Sequence, residues 1–296
     1  MKGFLKAAGY LVVTNLLIMI MVGVILAILR AFGVQIEPST MGGLMAMSLI
    51  WGFAGSFFSL FASKWLATRQ VGAQILSSPA TPQERFLFDV VERLAGEWGL
   101  KTPQIAVYPS PEPNAFATGP SRNNSLIAVS SGLMEKMTKD EIEGVLAHEM
   151  AHVGNGDMMT MTLIQGLMNA FVIFLSRFVA GAIVAFTRGE DDDAPVEGSL
   201  AYGLISLALN IVFGVLASIV VMYFSRKREF AADAGSAQHV GKDKMIASLK
   251  KLDAIYSPSD LPKEVSAMGI SGGAGSLFAS HPSIEQRIAA LEKTDF

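Results

Sequence analysis

Only four of the 296 residues are histidine, and two of them stand four apart in His148-Glu149-Met150-Ala151-His152. On a helix that spacing puts both imidazoles on one face, about one turn apart, where both can reach a single tetrahedral zinc ion. Glu149 lies beside them, placed to take a proton from a metal-activated water and pass it to a leaving amine. The chemistry suggested is metal-assisted peptide hydrolysis. A catalytic zinc also needs a third protein ligand and an open position. The three-histidine metzincin pattern fails, because the sixth residue beyond His152 is Met158. With no cysteine in the chain, thiolate zinc sites, thiol nucleophiles and disulfides are excluded as well.

The third ligand therefore has to come from elsewhere. The candidate is Glu229 in Arg226-Lys227-Arg228-Glu229-Phe230-Ala231-Ala232-Asp233. One helix through this segment carries Glu229 and Asp233 on the same face, and Asp233 suits the role of accepting the free ring N–H of a ligating histidine. From spacing alone, a solvated charged flank fits these residues equally well.

The elements that must position this chemistry are unusual for a soluble enzyme. About half the residues are hydrophobic, 17% are charged and the net charge is -3, which points to the membrane class and away from nucleic acid. A membrane-crossing helix needs roughly 20 apolar residues. Charge-free runs of that order occur at Ala7–Leu29, Pro38–Ser63 and Gly198–Ser225, and a fourth run, Met158–Phe186, is interrupted only by Arg177. The first run is too long for a signal-peptide core and is read as an uncleaved anchor. A charge inside a span is costly unless it snorkels or faces protein. Arg177 thus marks either the outer end of a shorter span or the lining of a cavity.

Basic residues flank the runs on one side: Lys2 and Lys6, Lys64 and Arg69, and Arg226, Lys227 and Arg228. The positive-inside rule puts the N-terminus and both polar segments in the cytoplasm. The expected organisation is a membrane hairpin over 1–63 (spans about 7–29 and 38–63), a peptidase part over 64–157, a second hairpin over 158–225 (spans about 158–186 and 198–225), and a second peptidase part over 226–296. The acidic residues Glu190, Asp191, Asp192 and Asp193 then fall in the outer loop.

Within the polar segments, Thr81-Pro82-Gln83-Glu84 is a capping box with proline at the first helical position. The runs Gln104–Tyr108, Ala115–Thr118 and Ser125–Ser130 read as short strands separated by turns at Gly119-Pro120 and Asn123-Asn124. A second capping box, Thr138-Lys139-Asp140-Glu141, opens the histidine helix, which ends at Gly154-Asn155-Gly156. Its charged first turns place that helix in water. The Gly-rich run Ser271–Ser276 reads as a loop.

Some further features have more than one reading. His281, before Pro282, is either a cap for the last helix or a donor to the oxyanion of the tetrahedral intermediate. Asn114, Ala115 and Phe116 form either a plain turn into a strand or an edge that pairs with extended substrate. His239 has no partner pattern and reads as a surface residue. Arg226 and Arg228 read as membrane-flank charges rather than catalytic ones, with the alternative that either lies within reach of the site.

Taken together, the HEMAH segment, two apolar helices, the Glu-x-x-x-Asp segment, Asn114-Ala115-Phe116-Ala117 upstream and Ser280-His281-Pro282 downstream resemble the HtpX-type membrane zinc peptidases, relatives of the CAAX prenyl endopeptidases. The resemblance runs over essentially the whole chain. It implies an α+β, mainly helical protein with four spans and a cytoplasmic gluzincin-like domain. It also implies one zinc held by His148, His152 and Glu229, with Glu149 as acid/base and Asp233 in support. Such proteins sit in the bacterial inner membrane and remove misfolded or damaged membrane proteins. The expected partners are protein substrates and the bilayer. The competing reading is a membrane metal-binding scaffold or transporter that uses the same ligands without proteolysis.

Overall fold

The structure, a computed structural model, describes residues 2–187, 196, 199–256 and 280–295, with side chains from residue 12 onward other than that of residue 256. The acidic residues 190–193 and the glycine-rich run 271–276 lie outside the described residues. Two compact units form, Met1–Ser59 with Thr162–Val221, and Leu60–Met161 with Met222–Phe296.

The first unit is built from helices α1 (Lys2–Ala31), α2 (Met41–Val71), α6 (Asp157–Thr187) and α7 (Leu200–Val240), of which α2, α6 and α7 run on into the second unit. All four are long and apolar enough to cross a membrane. The second helix starts three residues later than its apolar run, at Met41. Thr40 is the reason: its hydroxyl accepts from Gly43 N at 3.0 Å, leaving Pro38 and Ser39 in the preceding turn. Helix and apolar run also part company at the other end, where α2 continues through Lys64 and Arg69 because these are good helix formers.

Small residues let the helices approach closely. A Cβ on Gly52 would stand 2.4 Å from the Ala170 backbone nitrogen, and one on Gly166 would stand 2.4 Å from the Phe53 ring. Asn169 Nδ2 donates to Ser56 Oγ at 3.4 Å across the same contact. Arg177, half-buried, lines a cleft of about 340 Å³ together with Ser39, Thr40 and Tyr202, which matches the cavity-lining alternative.

The second unit holds a four-stranded sheet in the order β1 (Gln74–Ile75), β2 (Gln104–Tyr108), β4 (Asn124–Ser130), β3 (Ala115–Ser121). Strands β2 and β4 are parallel, and the other two pairings are antiparallel. Central β4 is buried on both faces, as its unbroken apolar run requires. Ile127 and Val129 pack into the main core with helices α3 (Pro82–Glu97) and α5 (Lys139–Asn155), while Leu126 and Ala128 meet Tyr108 and Phe116 on the other side.

The expected turn at Gly119-Pro120 is instead part of β3, which carries a register shift between Thr118 and Ser121. Gly119 sits at φ 141°, and a Cβ there would fall 2.3 Å from Asn124 O, so only glycine fits this bulge. The chain reverses at Arg122 and Asn123. Both capping boxes form, at Thr81 and Thr138. Beyond the sheet lie α4 (Ser131–Lys136), α8 (Lys242–Tyr256) and the last helix, α9 (Ile284–Lys293). Helix α8 packs so closely on α5 that a Cβ on Gly144 would stand 2.2 Å from Ser248 Oγ.

Candidate metal centre and cleft

Helix α5 is amphipathic at its start and buried where it matters. Lys139 and Asp140 are exposed, whereas Leu146, Ala147, Met150, Ala151 and Val153 are sealed in the core. The histidines emerge from that buried stretch, His148 at 8% exposure. Helix α7 brings Glu229 and Asp233 alongside, exposed by only 2% and 1%. Glu229 lies four residues beyond the apolar run that ends at Ser225. Charges this buried must be matched.

The matching is specific. Ring nitrogen Nδ1 of His148 is 2.9 Å from Asp233 Oδ1, and Nδ1 of His152 is 2.6 Å from Asp157 Oδ2. Both imidazoles thereby have Nδ1 occupied and turn Nε2 toward one point. There the two Nε2 atoms are 3.1 Å apart, and each is 3.4 Å from a Glu229 carboxylate oxygen. For a tetrahedral zinc with ligand bonds of 2.0–2.1 Å, donor atoms should be separated by about 3.3 Å. The three donors fit the ion. Glu229 Oε2 is also fully buried, with ring and guanidinium nitrogens of His148, His281 and Arg287 close to it.

Electrostatics agree with a site built for a cation. Burial by itself would raise the Glu229 carboxyl pKa, but the imidazoles of His148, His152 and His281 around it hold it far below the usual carboxylate range. Burial alone would lower His152, yet its bonds to Asp157 and Glu229 prevail and raise it to about 9. A metal at this point therefore displaces protons when it binds.

Two contributors were not singled out from the sequence. Asp157 follows the left-handed Gly156 (φ 72°), which stops α5 and folds the next residue back onto His152. Arg287 Nε and Nη2 donate to Asp233 Oδ2 and Oδ1 at 2.8 and 2.6 Å, a bidentate clasp. A signal for Arg287 existed. It occupies a core-facing place in the stripe Ile284, Arg287, Ile288, Leu291, where an arginine needs a buried partner.

A cleft of about 360 Å³ opens at the donors, lined by Asn114, Ala115, His148, Glu149, Glu229 and His281, with Leu133, Val145, Met245 and Leu249 deeper in. Glu149 thus faces the same space as the metal donors. Phe116 does not reach it. Strand alternation sends its ring to the opposite face of the sheet, 5.8 Å from Tyr108. Strand β3 is the sheet edge, so its outer backbone groups face away from β4.

His281 Nδ1 comes within 2.9 Å of Glu229 Oε2. It is not the cap of α9. Ser283 fills that place, with its hydroxyl accepting from Gln286 N. His239 is not a bare surface residue either: it lies 2.9 Å from Glu97 Oε2 and its ring packs tilted against Trp98, 4.9 Å between centroids. Arg228 stands 3.6 Å from Asp157 rather than only flanking the apolar run.

With this geometry in place, four likenesses bear on it. The profile of Peptidase family M48 matches residues 82–295. The chain is 48% identical to the "Protease HtpX" of Shewanella denitrificans over 292 residues, 98% of this chain and 100% of that one. It is 50% identical to the "Protease HtpX homolog" of Neisseria meningitidis serogroup B over 280 residues, 94% and 96% of the two chains. The crystal structure of S. mikatae Ste24p shares the fold, with a TM-score of 0.67 at 19% identity over 98% of this chain and 66% of that one.

Proposed function

From the premise that the chain belongs to Peptidase family M48, we propose that this multi-pass membrane metallopeptidase is a zinc-dependent endopeptidase of the bacterial inner membrane. Its cytoplasmic active site, on this reading, removes misfolded or damaged membrane proteins. The observation that carries the chemistry is the cluster of His148, His152 and Glu229, whose donor atoms lie within 4.8 Å of one another at a cleft shared with Glu149.

When bound, zinc supplies Lewis acidity toward a carbonyl oxygen and acidifies water. The protein's own groups do the rest. His148, His152 and Glu229 hold the ion, with Asp233 and Asp157 fixing the imidazole orientations. Glu149 accepts the proton of the attacking water and returns it to the leaving amine. The β3 edge with Asn114 and Ala115 holds an extended substrate segment by backbone pairing. His281, on the cleft wall, donates to the developing oxyanion. Basic residues flanking the apolar helices support the cytoplasmic orientation, and the apolar helices hold the enzyme in the bilayer that contains its substrates.

The deciding experiment replaces Glu149 with glutamine. Zinc content should stay near one per chain, while cleavage of an unfolded membrane-protein substrate falls by about 10²–10⁴-fold. Undiminished cleavage would sink the assignment, and retained zinc without activity in the unaltered chain would favour a scaffold. Orientation is open to a clean test because the chain has no cysteine. A single Ser78→Cys variant should be labelled by an impermeant reagent in inverted vesicles and protected in spheroplasts.

A further inference from the structure

Where α7 leaves its apolar run, Tyr223, Arg226, Lys227 and Phe230 form an i, i+3, i+4, i+7 stripe. Helix α9 presents Gln286, Ala289, Ala290 and Lys293, a stripe of the same spacing. The two stripes and Pro282 enclose a groove of about 640 Å³. We propose that this groove is a binding site for the phosphate headgroup of an anionic phospholipid.

Charge and position both point that way. Three of the groove's nine lining residues are basic, and among the described residues that line it none is acidic. Lys227 and Lys293 are exposed and make no ion pair with any described residue. The aromatic Tyr223 is 54% exposed and stands at the last turn of a charge-free run, the level at which tyrosines sit in the headgroup layer. Arg226 is the first charge after that run, so the groove's cations begin where the hydrocarbon ends.

Basic residues that only orient a chain in the membrane need do no more than flank the span. Lys293 is not a flank. It comes from the far end of the chain, on a separate helix, and converges on the same groove. Ala289 and Ala290, small and half-buried, keep the space between the helices open. Basic pockets at the cytoplasmic edge of helices are the setting in which lipid phosphates bind. Pro282 lines both this groove and the catalytic cleft, so the bound headgroup would sit directly behind the cleft wall.

The test uses the full-length, zinc-loaded protein in vesicles of phosphatidylcholine with a minor fraction of phosphatidylglycerol, and counts the lipids that stay bound by native mass spectrometry. The unaltered chain should retain phosphatidylglycerol over phosphatidylcholine. The double variant Lys227→Gln/Lys293→Gln should bind it roughly thirtyfold more weakly, about fivefold for each basic side chain removed. The control Lys250→Gln/Lys251→Gln, which removes the same charge from α8, should retain it in full. Should the double variant fail to fold, Lys293→Gln alone is expected to show the fivefold loss.

Equal retention by the groove variant would overturn the site. Equal loss in the control would replace it with diffuse surface charge. Displacement of the lipid by inorganic phosphate or by an acidic peptide at comparable concentration would show a soluble anion or a protein segment to be the ligand, and would overturn the lipid assignment.

Discussion

The two histidines of the candidate metal centre are each braced by a carboxylate on Nδ1, but by different kinds of structure. On the His148 side, Asp233 from α7 is clasped by two bonds from Arg287 of α9, so three elements distant in sequence meet at one ring nitrogen. On the His152 side, Asp157 lies five residues further along the same chain, and its arginine, Arg228, stands off at 3.6 Å. The first brace depends on tertiary packing and the second largely on one glycine turn. Burial follows the same division, since the Arg287 side chain is 11% exposed and that of Arg228 is 23% exposed.

Removing what both braces serve should have the largest effect. Glu229→Gln takes away the shared donor charge, and zinc affinity should fall by more than the roughly 10–100-fold typical of losing an outer partner. Competition with a chromogenic chelator measures this directly.

Next comes the asymmetry itself. Asp233→Asn should lower zinc affinity toward the 100-fold end of that range. It should also destabilise the second unit by about 3 kcal/mol, because Arg287 is left buried with its clasp broken. Asp157→Asn should lower affinity toward the tenfold end, with a smaller loss in thermal midpoint. Equal losses from both would erase the distinction between a packed and a local brace.

The remaining effect concerns pH. His152 is raised from 6.5 to about 9 against the pull of burial, chiefly by its bond to Asp157. In metal-free protein the charged imidazole contributes stability that is fully present below about pH 6.5 and is lost as pH rises through about 9. Zinc has to displace that proton and the one on His148, which is raised against the pull of burial by its bonds to Asp233 and Glu229, so affinity should climb by about tenfold or more per pH unit between pH 7 and 9 and then level off. In Asp157→Asn the His152 step should move to lower pH, and in Asp233→Asn the His148 step should do so instead. Calorimetric zinc titrations in buffers of different ionisation heat would read both the slope and the proton count.

The groups near the lipid differ again from those near the metal. Among the described residues that line its cleft Arg177 is the one charged side chain, while Arg226, Lys227 and Lys293 share one groove. A single cation in a span has to find local shelter; several at its end can gather a ligand.

Much of this was legible in residue order. Local rules act within a few residues, so the capping boxes at Thr81 and Thr138, strand Gln104–Tyr108 and the left-handed stop at Gly156 followed from side-chain chemistry over three or four positions. The His148 and His152 pair was readable for the same reason, since helical periodicity alone sets the two on one face. Where a short-range rule had two outcomes, packing chose. Gly119 became a bulge because the Asn124 backbone passes too close for any side chain, and Phe116 left the cleft because strand register turned it toward Tyr108.

The sequence by itself determined the donor types, their helical spacing, the absence of any thiolate and four apolar helices. Only the tertiary structure decided that Glu229 joins the two histidines, that Arg287 holds Asp233, that His281 leans on Glu229 and that Lys293 and Lys227 line one groove. Those contacts join residues scores of positions apart, and a periodic pattern fixes which way a helix faces but not which helix it faces. That choice is made by close packing, here through Gly144 against Ser248 and Gly235 against Ala151. Such complementarity belongs to pairs of surfaces and is written in neither segment alone.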